Sequence, residues 1–174
     1  MAGILIIAHA PLATALKDCA AHVYGGVPAQ VGVIDVLPDC DPARLLALAE
    51  SEIERLREEN GVLVLTDMYG ATPANIACRL AGLPDVRVLA GVNLPMLVRS
   101  VCYRTVPLDQ LAEKALMGAA KGVHAIAQQA SPGDAAMPSP ALPATPATSA
   151  GGAMPAAASA LTTPRPDERG LGGS

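Results

Sequence analysis

The feature that most constrains the fold of this chain is a regular alternation, over residues 1–129, of short apolar runs with helix-like segments. Unbroken apolar runs of this length are typical of strands buried on both faces of a parallel sheet. The segments between them carry apolar residues at helical spacing, and several begin with Pro in the first turn. The pattern predicts strands over 3–8, 30–36, 61–66 and 86–92, and helices over 11–24, from Asp41-Pro42 to Leu56, and over 72–81, 95–103 and 108–121.

Strands that alternate with helices predict a doubly wound, mostly parallel sheet with right-handed crossovers and helices on both faces, an α/β/α sandwich. We consider the strand order 2-1-3-4, in which the order reverses between strands 1 and 3. A further β-like segment over 122–126 closes the domain.

The composition changes near residue 130. From Ala130 to Ser174, Ala, Pro, Gly, Ser and Thr account for 35 of 45 residues. Such a segment cannot bury enough apolar surface to offset its ordering entropy. The sequence therefore predicts one domain over 1–129 and a disordered tail over 130–174.

Charge and hydropathy exclude several classes of function. The net charge is −4 and there is no block of Lys or Arg, which argues against binding to nucleic acid or to an anionic membrane surface. No run approaches the length of a membrane helix, and the short run from Ile4 to Ala8 lacks the positive flank of a signal peptide. We therefore expect a cytoplasmic protein whose four cysteines are reduced and at least half-buried thiols.

Two chemically useful side chains follow the predicted central strands. Strand 1 ends at His9 and strand 3 at Asp67. Sites in open α/β sheets form at the carboxyl ends of strands where the strand order reverses, so these residues should lie side by side. The helices that follow begin with Pro11 and Pro73 in their first turns, and their N-terminal amides would face the same crevice as an anion site.

A histidine and a carboxylate in this setting suit phosphoryl transfer. A neutral imidazole can attack phosphorus through its unprotonated nitrogen, while a carboxylate on the other ring N–H fixes the tautomer. Each residue alone could be merely structural, as a polar strand end or a helix cap. The remaining histidines, His22 and His124, lack such a setting.

Other residues near these loops leave alternatives open. Asp35 and Asp39 resemble turn and loop residues. A set of apolar side chains could form either a docking rim or part of the core: Leu12, Met68, Tyr69, Met96 and Leu97.

Three motifs together resemble a known family. A strand followed by His and a Pro-started helix near the N-terminus, LTDMYGATPAN at 65–75 and GVNLPML at 91–97 resemble the mannose-type EIIA domain of the bacterial phosphoenolpyruvate-dependent sugar phosphotransferase system. The resemblance covers about residues 1–127. It implies that phospho-HPr donates a phosphoryl group to His9 and that a histidine of an EIIB protein accepts it. Asp67 matches the carboxylate that orients the histidine, and Thr72 matches a hydroxyl residue of the site.

The resemblance also implies a flavodoxin-like fold, no metal or organic cofactor, and a homodimer that exchanges a final edge strand, which segment 122–126 matches. Ala10 stands where many members have Gly. Because the linker-like tail runs to Ser174 without an EIIB sequence, we expect the acceptor to be a separate EIIB protein or a regulatory partner that responds to the phosphorylation state of His9.

Two other classes of function remain as alternatives. A receiver-type signalling module would be phosphorylated on Asp67, but it needs an acidic pair after strand 1 to hold Mg²⁺, where this chain has Ala8, His9 and Ala10. A flavin- or metabolite-binding flavodoxin-like module would need aromatic rings, and the chain has three Tyr and no Phe or Trp.

Overall fold

A computed structural model describes residues 1–126 of the chain. The described residues form, in order, β1 (Gly3–His9), α1 (Leu12–Tyr24), β2 (Val31–Val36), α2 (Pro42–Leu56), β3 (Val62–Thr66), α3 (Thr72–Leu80), β4 (Val86–Ala90), α4 (Leu94–Tyr103) and α5 (Leu108–Lys121). The domain boundary at 129/130 and the tail predicted over 130–174 lie outside the described residues.

The four strands form one parallel sheet in the order β2-β1-β3-β4, which confirms the predicted topology. The register pairs Ile7 of β1 with Ile34 of β2 on one side and with Thr66 of β3 on the other. The strand order reverses between β1 and β3, and the carboxyl ends of these two strands therefore bound the central crevice of the sheet.

Both faces of the sheet are covered, as the continuous apolar runs of the strands predict. One layer is α1, α4 and α5, which pack on the alternate β1 residues Ile4, Ile6 and Ala8. The other layer is α2 and α3, which pack on Leu5 and Ile7. β1 is buried along its whole length until its last residue, so the core lies on either side of this central strand.

The helices begin where local sequence signals place them. Asp41 caps α2, because its side chain accepts a hydrogen bond from the Ala43 amide at 2.9 Å, and Asn93 caps α4 in the same way through the Met96 amide at 2.9 Å. Each of these helices has Pro in its first turn, where a missing N–H costs nothing. The element bounds therefore follow the predicted ones closely.

Two expectations are corrected. Segment 122–126 forms no strand within this chain, because it pairs with no other described segment, and Val123 and Ile126 are exposed. The expectation of buried thiols was wrong, since the free cysteines Cys19, Cys78 and Cys102 are exposed at helix surfaces and only Cys40 is half-buried.

Within residues 1–126, no helix combines the length and apolar character needed to cross a membrane.

Candidate functional site

The centre of the site is a contact between the last residue of β1 and the residue that follows β3. His9 Nδ1 lies 2.7 Å from Asp67 Oδ2, and the His9 backbone N–H donates to the same oxygen at 2.9 Å. Parallel neighbouring strands bring these two positions together although they are 58 residues apart in sequence. The structure thus brings His9 and Asp67 side by side, as the sequence predicted.

The Asp67 carboxylate is held from two sides. Its Oδ1 accepts a hydrogen bond from the Met68 amide at 2.7 Å, while its Oδ2 accepts those from His9. Burial alone would raise the pKa of Asp67, but the hydrogen bonds from the His9 and Met68 amides, together with the His9 ring, outweigh it and hold the pKa below its ordinary value. Asp67 is therefore an ionised acceptor over the physiological pH range.

An ionised carboxylate only accepts hydrogen bonds, so the His9 Nδ1 must donate. In the neutral imidazole, Nε2 then carries the lone pair. The His9 side chain is 49% exposed and that of Asp67 is 11% exposed. The pair therefore presents a nucleophilic nitrogen to solvent while its orienting carboxylate stays within the protein.

The loop between β3 and α3 offers backbone amides beside this pair. The helix has no side-chain cap at Ala71, and Gly70 adopts a φ of 84°, a conformation that L-residues rarely take. The amides of Tyr69, Gly70 and Thr72 donate to no other residue within 1–126. Unused N–H groups at a helix N-terminus suit the binding of an anion.

The sequence predicted that the amides of the first turn of α1 would also face the crevice as an anion site, and the structure differs there. Asp35, in β2, accepts hydrogen bonds from the amides of Ala13 at 3.0 Å and Thr14 at 3.2 Å, and from the Thr14 hydroxyl at 2.5 Å. The interpretation of Asp35 as a turn residue was therefore wrong. A carboxylate already accepts two amides of the first turn of α1, so this turn is less open to a second anion than the β3–α3 loop.

Thr72, the third predicted site residue, is the first residue of α3 and is exposed. Within the described chain, no hydrogen bond joins its hydroxyl to His9 or Asp67. It lines an open groove of about 330 Å³ together with Pro42, Asn75, Ile76 and Arg79. Thr72 thus lies in the β3–α3 connection that follows Asp67 but makes no hydrogen bond to the pair.

The apolar residues near the site divide into two groups. Leu12, Met68 and Tyr69 are exposed, whereas Met96 and Leu97 are buried in the core. Leu37, which follows β2, is also exposed, and sequence reasoning missed it. We call Leu12, Leu37, Met68 and Tyr69 the apolar rim, since they lie in the connections, or in the case of Leu12 at the helix start, at the carboxyl end of the sheet.

The other histidines lie apart from this pair. His22 is in the last turn of α1, at the opposite end of that helix from His9, and His124 is in the exposed segment after α5. No group of three or more His, Cys, Asp or Glu that could hold a metal ion occurs among residues 1–126.

The chain is similar in sequence to a known protein family and to a characterised relative. Residues 3–116 match the EIIA-man family, described as "PTS system fructose IIA component". The chain is 33% identical over 127 residues to the PTS system mannose-specific EIIAB component of Escherichia coli strain K12, an alignment that covers 71% of this chain and 39% of that protein. The chain thus corresponds to well under half the length of that relative.

Solved structures have the same fold. The phosphotransferase system component EIIA from Streptococcus agalactiae superposes with a TM-score of 0.65 at 27% identity, covering 72% of this chain and 97% of that one. The mannose/sorbose specific IIA subunit from Enterococcus faecalis superposes with a TM-score of 0.66 at 22% identity, covering 74% and 97%, and at this identity it shows the fold alone.

Proposed function

The chain belongs to the mannose-type EIIA family of the sugar phosphotransferase system, and from this premise we propose that it carries a phosphoryl group on His9 between two proteins. The observation that carries the proposal is the 2.7 Å contact between His9 Nδ1 and Asp67 Oδ2 beside open amides of the β3–α3 loop. The donor is the phosphohistidine of HPr. The acceptor is a histidine of an EIIB protein or a regulatory partner, and the site of action is the cytoplasm.

The transfer needs a nucleophile, an orienting group and an anion cradle. The His9 Nε2 lone pair forms the new N–P bond while the N–P bond of the donor breaks and its electron pair returns to the donor imidazole. Asp67 keeps the Nδ1 proton in place and balances the positive charge that develops on the ring. No proton has to leave His9 during this step.

The phosphoryl oxygens need donors that do not have to reorganise. The amides of Tyr69, Gly70 and Thr72 suit this role, because several N–H bonds to one dianionic group outweigh the modest effect of a single helix dipole, about 0.3–1 kcal/mol. The Thr72 hydroxyl, at the margin of the same loop, would add a donor once the phosphoryl group is present.

The surroundings of His9 favour a protein as donor and acceptor. The His9 side chain is half exposed, and the residues of the apolar rim follow strands at the same end of the sheet, with Tyr69 83% exposed. Exposed apolar side chains at the end of the sheet that carries a reactive residue are a candidate protein interaction site. We therefore assign the apolar rim to docking of HPr and of the acceptor at the same surface.

The experiment is labelling of the full chain by phosphoenolpyruvate with Enzyme I and HPr. We expect one phosphate per chain, labile in acid and stable in base, as a phosphohistidine is. His9→Ala should abolish labelling. The matched control is His22→Ala, the same substitution in α1, the helix that follows His9, and it should label as the unchanged chain does. Normal labelling of His9→Ala, or a base-labile acyl phosphate on Asp67, would contradict the proposal.

We further propose that the chain forms a homodimer. Within the described chain β2 pairs only with β1 and β4 only with β3, so both edges of the sheet are unpaired, and the exposed segment 122–126 can supply a strand for the partner's β4 edge. Light scattering should give twice the chain mass, and replacement of both Val123 and Ile126 by Asp should yield monomers. A monomeric unchanged chain would refute the dimer without affecting the phosphoryl carrier.

A further inference from the structure

We propose that Asp35 is a positioning residue for phosphoryl transfer, one that fixes His9 through the first turn of α1 without touching the ring. The inference rests on the proposed function. It starts from the three hydrogen bonds that the Asp35 carboxylate accepts from Ala13 and Thr14, across the carboxyl end of the sheet.

Helix α1 does not cap itself. Its N-cap residue is Pro11, which supplies no side-chain hydrogen bond, and Leu12 follows as the first helical residue. The cap comes instead from β2, a strand that lies later in the chain. Because the first amides of a helix lack partners within the helix, a carboxylate that accepts two of them fixes where the helix starts.

The connection that carries His9 is tied at both ends. At its start, Asp67 accepts the His9 N–H, and the Val36 carbonyl accepts the Ala10 N–H at 3.0 Å. At its end, Asp35 holds the amides of Ala13 and Thr14. Only Pro11 and Leu12 lie between, so a shift of the helix start is transmitted directly to the backbone of His9.

The strand register explains why Asp35 can reach this turn. Asp35 pairs with Ala8 of β1, and the next residue, Val36, pairs with His9. Two successive residues of β2 therefore fix the connection, one through its backbone carbonyl and one through its carboxylate. Asp35 is only half-buried, so its charge is tolerated while its hydrogen bonds are kept.

Phosphoryl transfer is sensitive to such a shift. The attacking nitrogen must meet phosphorus in line with the leaving nitrogen, and a misplacement of about 1 Å can cost up to roughly a hundredfold in rate. Release of the α1 start should therefore lower the rate of transfer at saturating phospho-HPr. The dependence of the rate on the phospho-HPr concentration should stay nearly unchanged. This dependence reflects docking at the apolar rim, and three of the four rim residues lie outside α1.

The test compares three full-length variants under single-turnover conditions with phospho-HPr. Asp35→Ala removes all three hydrogen bonds and should slow the maximal transfer rate roughly tenfold, with little change in the phospho-HPr concentration that gives half of that rate. Asp35→Asn keeps an acceptor oxygen for both amides and should restore the rate to within about twofold of the unchanged chain. The final yield of phosphate per chain should stay the same in all variants.

Asp41→Ala is the matched control. Asp41 caps α2 at the same end of the sheet, and its loss costs a similar stability but touches no residue of the His9 connection. We expect its transfer rate to equal that of the unchanged chain.

An Asp35→Ala rate equal to that of Asp41→Ala would overturn the inference, and so would an Asp35→Asn rate as low as that of Asp35→Ala. A lower final yield in place of a lower rate would show loss of folded protein and would likewise overturn it. If the unchanged chain itself does not label, it is the proposed function that fails.

Discussion

Two strand–helix connections flank the centre of the sheet, and they use their backbone amides in opposite ways. The β1–α1 connection carries His9, and two amides of its first helical turn donate to the Asp35 carboxylate. The β3–α3 connection carries Asp67, and the N-cap residue of its helix, Ala71, provides no side-chain cap. One connection is thus fixed and presents a nucleophile, while the other is open and presents donors to an anion.

The two connections look alike in sequence, since each joins a buried apolar strand to a helix with Pro near its start. Their difference depends on which side chain reaches them from elsewhere in the fold. A carboxylate at the start of α1 disfavours a second anion there. In the proposed carrier, a phosphoryl group on His9 would therefore turn toward the β3–α3 amides, and the asymmetry would define the side from which it is held.

The largest effect should come from the side chain that links the two connections. Asp67→Ala leaves the His9 ring and its N–H without their acceptor, so we expect transfer from phospho-HPr to fall roughly a hundredfold or more. Stopped-flow or quench measurement of the labelling rate tests this. Asp109→Asn removes another paired carboxylate, the one that accepts from Arg87 at 2.6 Å far from the site, and should not change the rate. An Asp67→Ala rate near that of Asp109→Asn would show that the contact between the two connections has no role in transfer.

The next effect concerns the open connection itself. Gly70 has a φ of 84° and free space around the position of an added Cβ, so Gly70→Ala costs about 1 kcal/mol of backbone strain that the loop can relieve by turning its amides. We expect the transfer rate to fall by roughly tenfold, because the amides would no longer converge on the phosphoryl group.

Gly25→Ala is its control, because Gly25 has a φ of 68°, equally free space, and a place at the C-terminal end of α1. Both variants should lose similar stability, measured by urea unfolding, but only Gly70→Ala should slow transfer. Equal transfer rates in the two variants would argue that the β3–α3 amides do not bind the phosphoryl group.

Much of this arrangement could be predicted from local patterns. The unbroken apolar runs gave the buried strands, and Pro42 and Pro73 marked helix starts that the structure has at the same place. The strand order then brought His9 beside Asp67, because carboxyl ends of neighbouring parallel strands meet at one edge. Local patterns thus predict well the features that depend on neighbouring residues or on the strand order, which are the element bounds and the meeting of His9 and Asp67.

The parts that could not be predicted depend on side chains that cross between elements. Asp35 reaches α1 from a strand 21 or 22 residues later, so its aspartate looks like any polar residue near a strand end. Thr72 matches a motif, yet within residues 1–126 its hydroxyl makes no hydrogen bond to either member of the pair. Segment 122–126 has a strand-like composition, but a strand exists only where another strand pairs with it, and none in the described chain does.

A smaller effect is expected from the residues just before His9 and Asp67, which also differ between the two connections. Ala8 ends the buried part of β1 with an apolar side chain, whereas Thr66 ends β3 with a hydroxyl that is 1% exposed and has no hydrogen-bond partner within the described residues. Thr66→Val replaces that hydroxyl by a methyl of similar size and should raise the free energy of unfolding by about 1 kcal/mol. Transfer should stay unchanged, and a loss of stability in urea unfolding would instead reveal an unseen partner for the hydroxyl.

The smallest effect should be a pH dependence of stability from the contact that joins the connections. The pKa of Asp67 is lower in the folded chain than its ordinary value of 3.8, so the unfolded chain binds more protons as the pH falls through this range. The stabilisation from ionised Asp67 is therefore complete at pH values above the ordinary pKa. It is lost as the pH falls through the lower pKa that Asp67 has in the folded chain. Because water reaches half of the His9 side chain and screens the pair, we expect a modest change. The unfolding free energy of the unchanged chain minus that of Asp67→Asn should shrink between pH 5 and pH 3. A difference that grows toward acid would mean that the Asp67 carboxylate does not stabilise the fold through its hydrogen bonds from His9 and Met68.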